Sequence, residues 1–221
     1  MAVSLVLSFG ATNQAQTSQG SPQTGPASRY FVTGGNQGVN WILRRSTATP
    51  FAQQHWFIQA GVVFGEHAIA VHRNRVRTLG TNALEAVGLT SPGSEYTLRG
   101  VYTGTDFAYP ADAGTLAFLD ATTDGTHIYA VAHNLNVVYQ MDMDWSNPVF
   151  LFSVRPNDIG ITYDPSNRSL WVSSVSENQF IVNYSLEGLE LSSFQIPTGA
   201  SALALDPADD TLWFTHGFDG A

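Results

Sequence analysis

Apolar and polar residues alternate in short runs through the second half of the chain, and the runs come in pairs. Leu116-Ala-Phe-Leu-Asp120 is followed by a turn and His127–Val131. Gly160-Ile-Thr-Tyr-Asp164 is followed by a turn and Ser169–Ser173. Ala202-Leu-Ala-Leu-Asp206 is followed by a turn and Thr211–Thr215. Within the first run of each pair, Leu116 and Phe118, Ile161 and Tyr163, and Leu203 and Leu205 fall on one face, the period of a half-buried β-strand. Asp120, Asp164 and Asp206 head the three turns at spacings of 44 and 42 residues. Strand units repeating at about 40–50 residues are the mark of propeller blades. An aromatic recurs in the second strand of each pair, at Tyr129, Trp171 and Trp213. Flat side chains at that place are expected to fill the wedge between blades rather than stack on a ligand.

The middle unit is the most complete. Gln179–Leu186 reads as its third strand, Glu187-Gly188 as a turn and Glu190–Ile196 as its outer strand, stopped by Pro197. The preceding unit repeats this with Asn136–Met141 and Val149–Val154. Further upstream the pattern is degenerate. Tyr30–Thr33, Val39–Arg44 and His55–Gln59 read as strands two to four of a first blade. His67–Val71, Arg75–Leu79, Ala83–Val87 and Tyr96–Tyr102 read as a second. The predicted fold is an all-β propeller with four-stranded blades over residues 29–221, weakly patterned in 29–115 and clear in 116–221. Three blades are full and two partial. Both partial units carry a second strand, which predicts an incomplete ring.

Residues 1–28 stand apart. Residues 2–11 are small and apolar, and a Gln/Ser/Thr-rich run follows. They read as the core of an export signal without a basic start, with Ala11 or Ala15 preceding the cleavage point. A secreted or periplasmic protein is expected. The run is too short to span a bilayer, so no membrane span is predicted.

Charge narrows the partners. The net charge is −9, which disfavours nucleic acid. Residues 1–110 hold seven arginines and four acids, whereas residues 111–221 hold two arginines and fourteen acids. Arg73, Arg75 and Arg77 offer an anion site, but alternate arginines on a strand more commonly face solvent. There is no Cys and no Lys, so thiol nucleophiles, Cys-based zinc sites, Schiff-base lysines and P-loop lysines are excluded. Gly-x-Ser-x-Gly and His-Glu-x-x-His do not occur, and Gly34–Gly38 opens no predicted helix. Asp142-Met-Asp144 and Asp120–Gly125 lack the distal Glu of a calcium loop and read as turns.

The stretch GITYDPSNRSLWVSSVSENQFIVNYSLEGLELSSFQIP (160–197) resembles blades of bacterial exported propellers, in the broad group of NHL-like, lactonase-like and virginiamycin-lyase-like proteins. The resemblance implies a ligand-binding mouth where the loops between second and third strands meet those entering the inner strands. Those loops carry His133, Asn134, Asn157, Asp158, Glu177, Asn178, His216 and Asp219, joined by Glu66. Asn134, Asp158, Glu177, Asn178 and Asp219 are the candidate ligand-binding residues. For a lactonase-like site the resemblance implies a Glu with Asn or Asp around Ca or Zn, here Glu66, Asn157 and Asp158. The loop Thr198–Ser201 brings no acid to such a site. A lyase-like site implies a positioned His, with His133 and His216 as candidate catalytic residues.

The architecture hosts many roles. The expected function is a monomeric, non-catalytic binding or scaffold protein for a small molecule or a protein, needing no cofactor. The alternative is a metal-dependent hydrolase or a lyase working at the mouth. A further class uses the acidic half as a platform for a basic partner, with salt-sensitive association.

Overall fold

A computed structural model describes the backbone at 29–36, 39–46, 54–60, 66–80, 93–110, 118–175, 180–206 and 210–216; side chains are described from 67 onward within those spans, up to 214. The first sheet runs β1 (Arg29–Asn36), β2 (Val39–Ser46) and β3 (Gln54–Ala60). The second runs β4 (Glu66–His72), β5 (Arg75–Gly80), β6 (Gly93–Thr97) and β7 (Tyr102–Phe107). The third runs β8 (Phe118–Thr123), β9 (His127–Ala132), β10 (Val137–Asp142) and β11 (Val149–Ser153). The fourth runs β12 (Asp158–Asp164), β13 (Ser169–Ser174), β14 (Phe180–Ser185) and β15 (Glu190–Gln195). The fifth holds β16 (Ala200–Asp206) and β17 (Thr211–His216). Each sheet is an antiparallel meander. The inner strands β4, β8, β12 and β16 lie side by side in that order. This is a β-propeller with three four-stranded blades flanked by two partial ones, and the ring is not closed among the described residues. β1 touches β4 as β9 touches β12 and β13 touches β16, so β1 holds a second-strand place. No helix of the described residues is long and apolar enough to cross a membrane.

Period-two alternation explains how the blades stack. On β9, Ile128, Ala130 and Ala132 point one way, into a cluster with Ala68, Leu79, Phe107, Phe118, Met141 and Trp145. Tyr129 and Val131 point the other way, into a cluster with Phe152, Ile161, Leu170, Val182 and Tyr184. One strand therefore feeds two wedges. Each fully buried large apolar side chain contributes about 1.5–3 kcal/mol. A third wedge joins Ile181 and Ile196 to Ala200 and Leu203, with Trp171, Leu212 and Phe214 against it. Tyr129 and Trp171 pack into these wedges. Tyr129 lies flat on Tyr163 of the next blade, centroids 6.0 Å apart at 8°, and Trp171 meets Phe194 edge-on at 5.8 Å.

Neighbouring inner strands belong to different sheets, so side chains rather than a backbone ladder bridge them. The Tyr163 N–H donates to Thr122 Oγ1 (2.9 Å) and the Leu205 N–H to Thr162 Oγ1 (3.1 Å). Asp120 goes further: it accepts from its own neighbour Ala121 (2.9 Å), from Ile161 on β12 (2.9 Å) and from Leu203 on β16 (3.1 Å). One carboxyl thus contacts three inner strands.

Three expectations are corrected. Asp120 does not head a turn: it lies inside β8, and the turn begins four residues later at Asp124. The pairings Thr122↔Tyr129 and Thr162↔Trp171 make Asp124 the counterpart of Asp164. Leu-Asp-Ala resembles the Tyr-Asp-Pro turn entry locally, but the cross-blade N–H groups hold Asp120 in the strand. In the second blade, Ala83–Val87 lies outside the described residues, and the strand paired with β5 is β6 (Gly93–Thr97). Tyr96–Tyr102 is no strand. It straddles the β6–β7 turn, where the Gly100 N–H donates to Thr97 O (2.9 Å) and Gly100 takes φ +80°. Moving Glu95 onto β6 also changes the arginines. Arg75 and Arg77 do not face solvent alone; both bridge Glu95, at 3.0 and 2.9 Å, and the Glu95 side chain is only 12% exposed.

Candidate functional site

A four-stranded antiparallel meander sends its connections to two ends. The second-to-third loops and the entries to inner strands gather at one end, the mouth. The first-to-second and third-to-fourth turns gather at the other, the turn end.

At the mouth, Asp158 begins β12 and is buried, 2% exposed. Its Oδ2 accepts from the Arg155 N–H at 2.9 Å, and the Ser174 hydroxyl also bonds it. Burial pushes its carboxyl up to about 6, against the downward pull of the Arg155 N–H, the Arg155 charge and the Ser174 hydroxyl. Asn157, beside it, is exposed and left-handed at φ +68°; its carbonyl accepts from the Val175 N–H (3.1 Å). Asn tolerates that conformation, so its local role is to turn the chain into β12. His133 and Asn134 lie in the β9–β10 turn. His133 is half-buried, and its Nδ1 is buried without a hydrogen-bond partner among the described residues; Asn134 is exposed. Glu66 and His216 sit at the mouth ends of β4 and β17 by backbone pairing with Gly80 and Ala200, and their side chains are not described. Glu177, Asn178 and Asp219 lie outside the described residues. Among the described residues no group of three or more His, Asp or Glu side chains is placed to hold a metal ion.

The turn end differs. Asp124, Asp142, Asp144, Asp164, Glu187, Glu190, Asp206 and Asp210 all stand in or beside its turns on the third, fourth and fifth sheets; Arg168 stands among them, and Arg155 reaches Glu190 at 2.9 Å. On the second sheet the same end carries Arg73 and Arg99. Asp158 stands at the mouth, while most described carboxylates of the third, fourth and fifth sheets gather at the opposite end, because Asp is a turn residue and these hairpins turn there.

Several of these carboxylates are held ionised. Burial raises Asp124, but the His127 and Thr126 N–H groups (both 2.7 Å) and the Tyr129 hydroxyl (2.9 Å) bring it below the ordinary value. Burial likewise raises Asp164, and the Ser166 hydroxyl and N–H with the Trp171 indole N–H (3.2 Å) overcome it. The Ser146 hydroxyl lowers Asp144. So Tyr129 and Trp171 do two jobs: the ring packs into the wedge and the polar tip braces the turn.

A cleft of about 420 Å³ opens where the charge changes sign, between the second and third blades. Arg77, Glu95, Thr105, Phe107, Asp142, Met143 and Asp144 line it. His72 and Gly125 bring the adjoining turns together: a Cβ on Gly125 would stand 2.6 Å from His72 Cε1. Sequence reading missed Glu95 and this cleft, since both depend on the strand that was misplaced.

No family model matches the chain, and no curated protein does. Solved structures do. A chain of a nidogen–laminin complex aligns at TM-score 0.56 and 15% identity, over 85% of this chain and 70% of that one. The glutaminyl cyclase of Myxococcus xanthus aligns at TM-score 0.57 and 7% identity, over 82% of each chain. Virginiamycin B lyase from Staphylococcus aureus aligns at TM-score 0.46 and 13% identity, over 86% of this chain and 62% of that one. At such identities the likeness is one of fold.

Proposed function

We propose that the chain is an exported, monomeric, non-catalytic binding propeller whose turn end receives a basic segment of a partner protein. The observation that carries this is the gathering of eight carboxylates, against Arg168 and the Arg155 that pairs with Glu190, at one end of three neighbouring sheets. Ionised groups held by their own turns cost little reorganisation when a cationic partner arrives. Export rests on the small apolar run of residues 2–11.

The test is capture of partners from an extracellular fraction on the immobilised protein at low and high salt. Glu187→Gln, Asp142→Asn and Asp210→Asn together remove three charges; Asn suits the left-handed φ of +57° at Asp210. The reading expects a captured basic protein lost at about 500 mM salt, where screening shortens to a few ångströms, and lost with the triple variant. Capture indifferent to both would refute it.

A second reading has one observation in its favour. Asp158, buried at the mouth with its carboxyl near 6, is a proton carrier suited to neutral pH. That reading is the mouth hydrolase or lyase, with Glu66 and Asn157 as further ligands to Ca or Zn, or His133 or His216 as base. It predicts turnover in a lactone and ester screen with either ion, abolished by Asp158→Asn.

A further inference from the structure

Asp120 is the one carboxyl in the described residues that reaches three sheets. Its Oδ1 accepts only from Ala121, the next residue. Its Oδ2 accepts from Ile161 and from Leu203, which lie 41 and 83 residues along the chain. It is 3% exposed, and burial pushes it up to about 8 although all three N–H groups favour the ionised form. A proton has room on Oδ1, which carries one bond, while Oδ2 keeps both cross-blade bonds. Among the described residues the β16–β17 hairpin packs on the fourth blade through the Leu205 bond to Thr162, the Ser173 bond to Ala200 O and the small wedge around Ile181, and it reaches the third blade through the Leu203 bond to Asp120. Swinging β16 away from β12 lets water reach Asp120.

We propose that Asp120 is a proton-controlled clasp: protonated, it holds the β16–β17 hairpin on the fourth blade, and ionised, it loosens that hairpin. The inference is independent of the proposed function.

The sign follows from linkage. Opened to water, the carboxyl returns to an ordinary value of about 4; docked, it stays protonated to a higher pH. Between those limits the open form sheds the proton, so opening rises with pH, by up to about tenfold per unit, and levels off once the docked form also ionises.

Other ionisable groups stand on the strands packed around it: Glu66, His67 and His72 on β4, Asp124 and His127 at the β8–β9 turn, Asp158 and Asp164 on β12, and Asp206 on β16. Asp158 ionises near 6, desolvation lowers His67 and His72, and hydrogen bonds lower Asp124 and Asp164. The window from about pH 6.5 to 8 therefore belongs to Asp120 once His127→Gln, Glu66→Gln and Asp206→Asn controls are compared with it.

The experiment is amide hydrogen exchange at Leu203 and Leu205 on the whole chain, corrected for the intrinsic rate, with Val138 as internal reference. The clasp predicts a roughly tenfold rise in opening from about pH 6.5 to 7.5, a plateau above about 8.5 and no change at Val138. Asp120→Asn keeps a carbonyl acceptor but no titration, and its opening is expected to be flat with pH. A flat wild-type profile, or a pH-dependent one in Asp120→Asn, overturns the clasp. Should Asp120→Asn not fold, the carbon shift of the wild-type Asp120 carboxyl decides: a midpoint above about 7 supports the clasp, and any lower midpoint overturns it.

Discussion

Gly160 offers the sharpest test of how tightly the inner strands approach. It sits on β12 between Asp158 and Ile161, where the next blade's backbone comes close. A Cβ there would collide with Ser173 Oγ and stand 3.0 Å from Ala202 Cα and 3.1 Å from its carbonyl carbon. The first obstacle is a movable side chain; the others are backbone of β16 and must shift as a strand. Overpacking of this kind costs about 1–3 kcal/mol. For a chain of this length that lowers Tm by roughly 2–12 °C, at 2–4 °C per kcal/mol. Ser173→Ala alone removes a hydroxyl bonded to Ala200 O at 3.0 Å, worth about 1 kcal/mol. In the double variant the hydroxyl obstacle is gone and the Ala202 obstacle stays. The double variant is thus expected to lose less than the sum of the singles, but still to melt below Ser173→Ala. Scanning calorimetry of the four proteins settles it. A Gly160→Ala protein melting within about 1 °C of the parent would mean that β12 and β16 do not pack this closely, and the cross-blade bonds of Asp120 would fall with that geometry.

Thr162→Val keeps shape but leaves the Leu205 N–H without its acceptor; it should cost about 1–3 kcal/mol and speed exchange at Leu205, and unchanged exchange would contradict the bridge. Glu95→Gln leaves Arg75 and Arg77 beside a neutral group. A loss of about 1–2 kcal/mol, smaller at high salt because Arg75 is partly exposed, is expected in urea melts, and a gain in stability would count against the pair as drawn. Asp158 is raised to about 6, above its unfolded value, so it binds a proton in the folded chain that the unfolded chain has shed. Its contribution is full below about pH 4 and declines as pH rises toward 6; Asp158→Asn should flatten that part of the stability profile, and an unaltered slope would show that Asp158 is not its source.

Much of the architecture is local and was legible. Alternation placed β9 to β17 within a few residues, because each strand must present one face to each of two wedges, and that demand is written residue by residue. Turn chemistry at Asp164-Pro165 and Glu187-Gly188 did the rest. Tyr129 and Trp171 recur because the wedge recurs. What the sequence could not supply is who accepts each inner-strand N–H. Thr122 and Thr162 are equivalent only once the third blade is read from Asp124, and nothing within ten residues of Asp120 reveals that its partners are Ile161 and Leu203. The same holds for Glu95, whose meaning depends on a β6 separated from β5 by twelve residues. The mouth residues were named from loop position alone, and of these the described structure gives an environment to His133, Asn134, Asn157 and Asp158. Hairpins are decided by neighbours in the chain; burial, charge pairing and the clasp at the axis are decided by neighbours in space, which only the packing of one blade on the next creates.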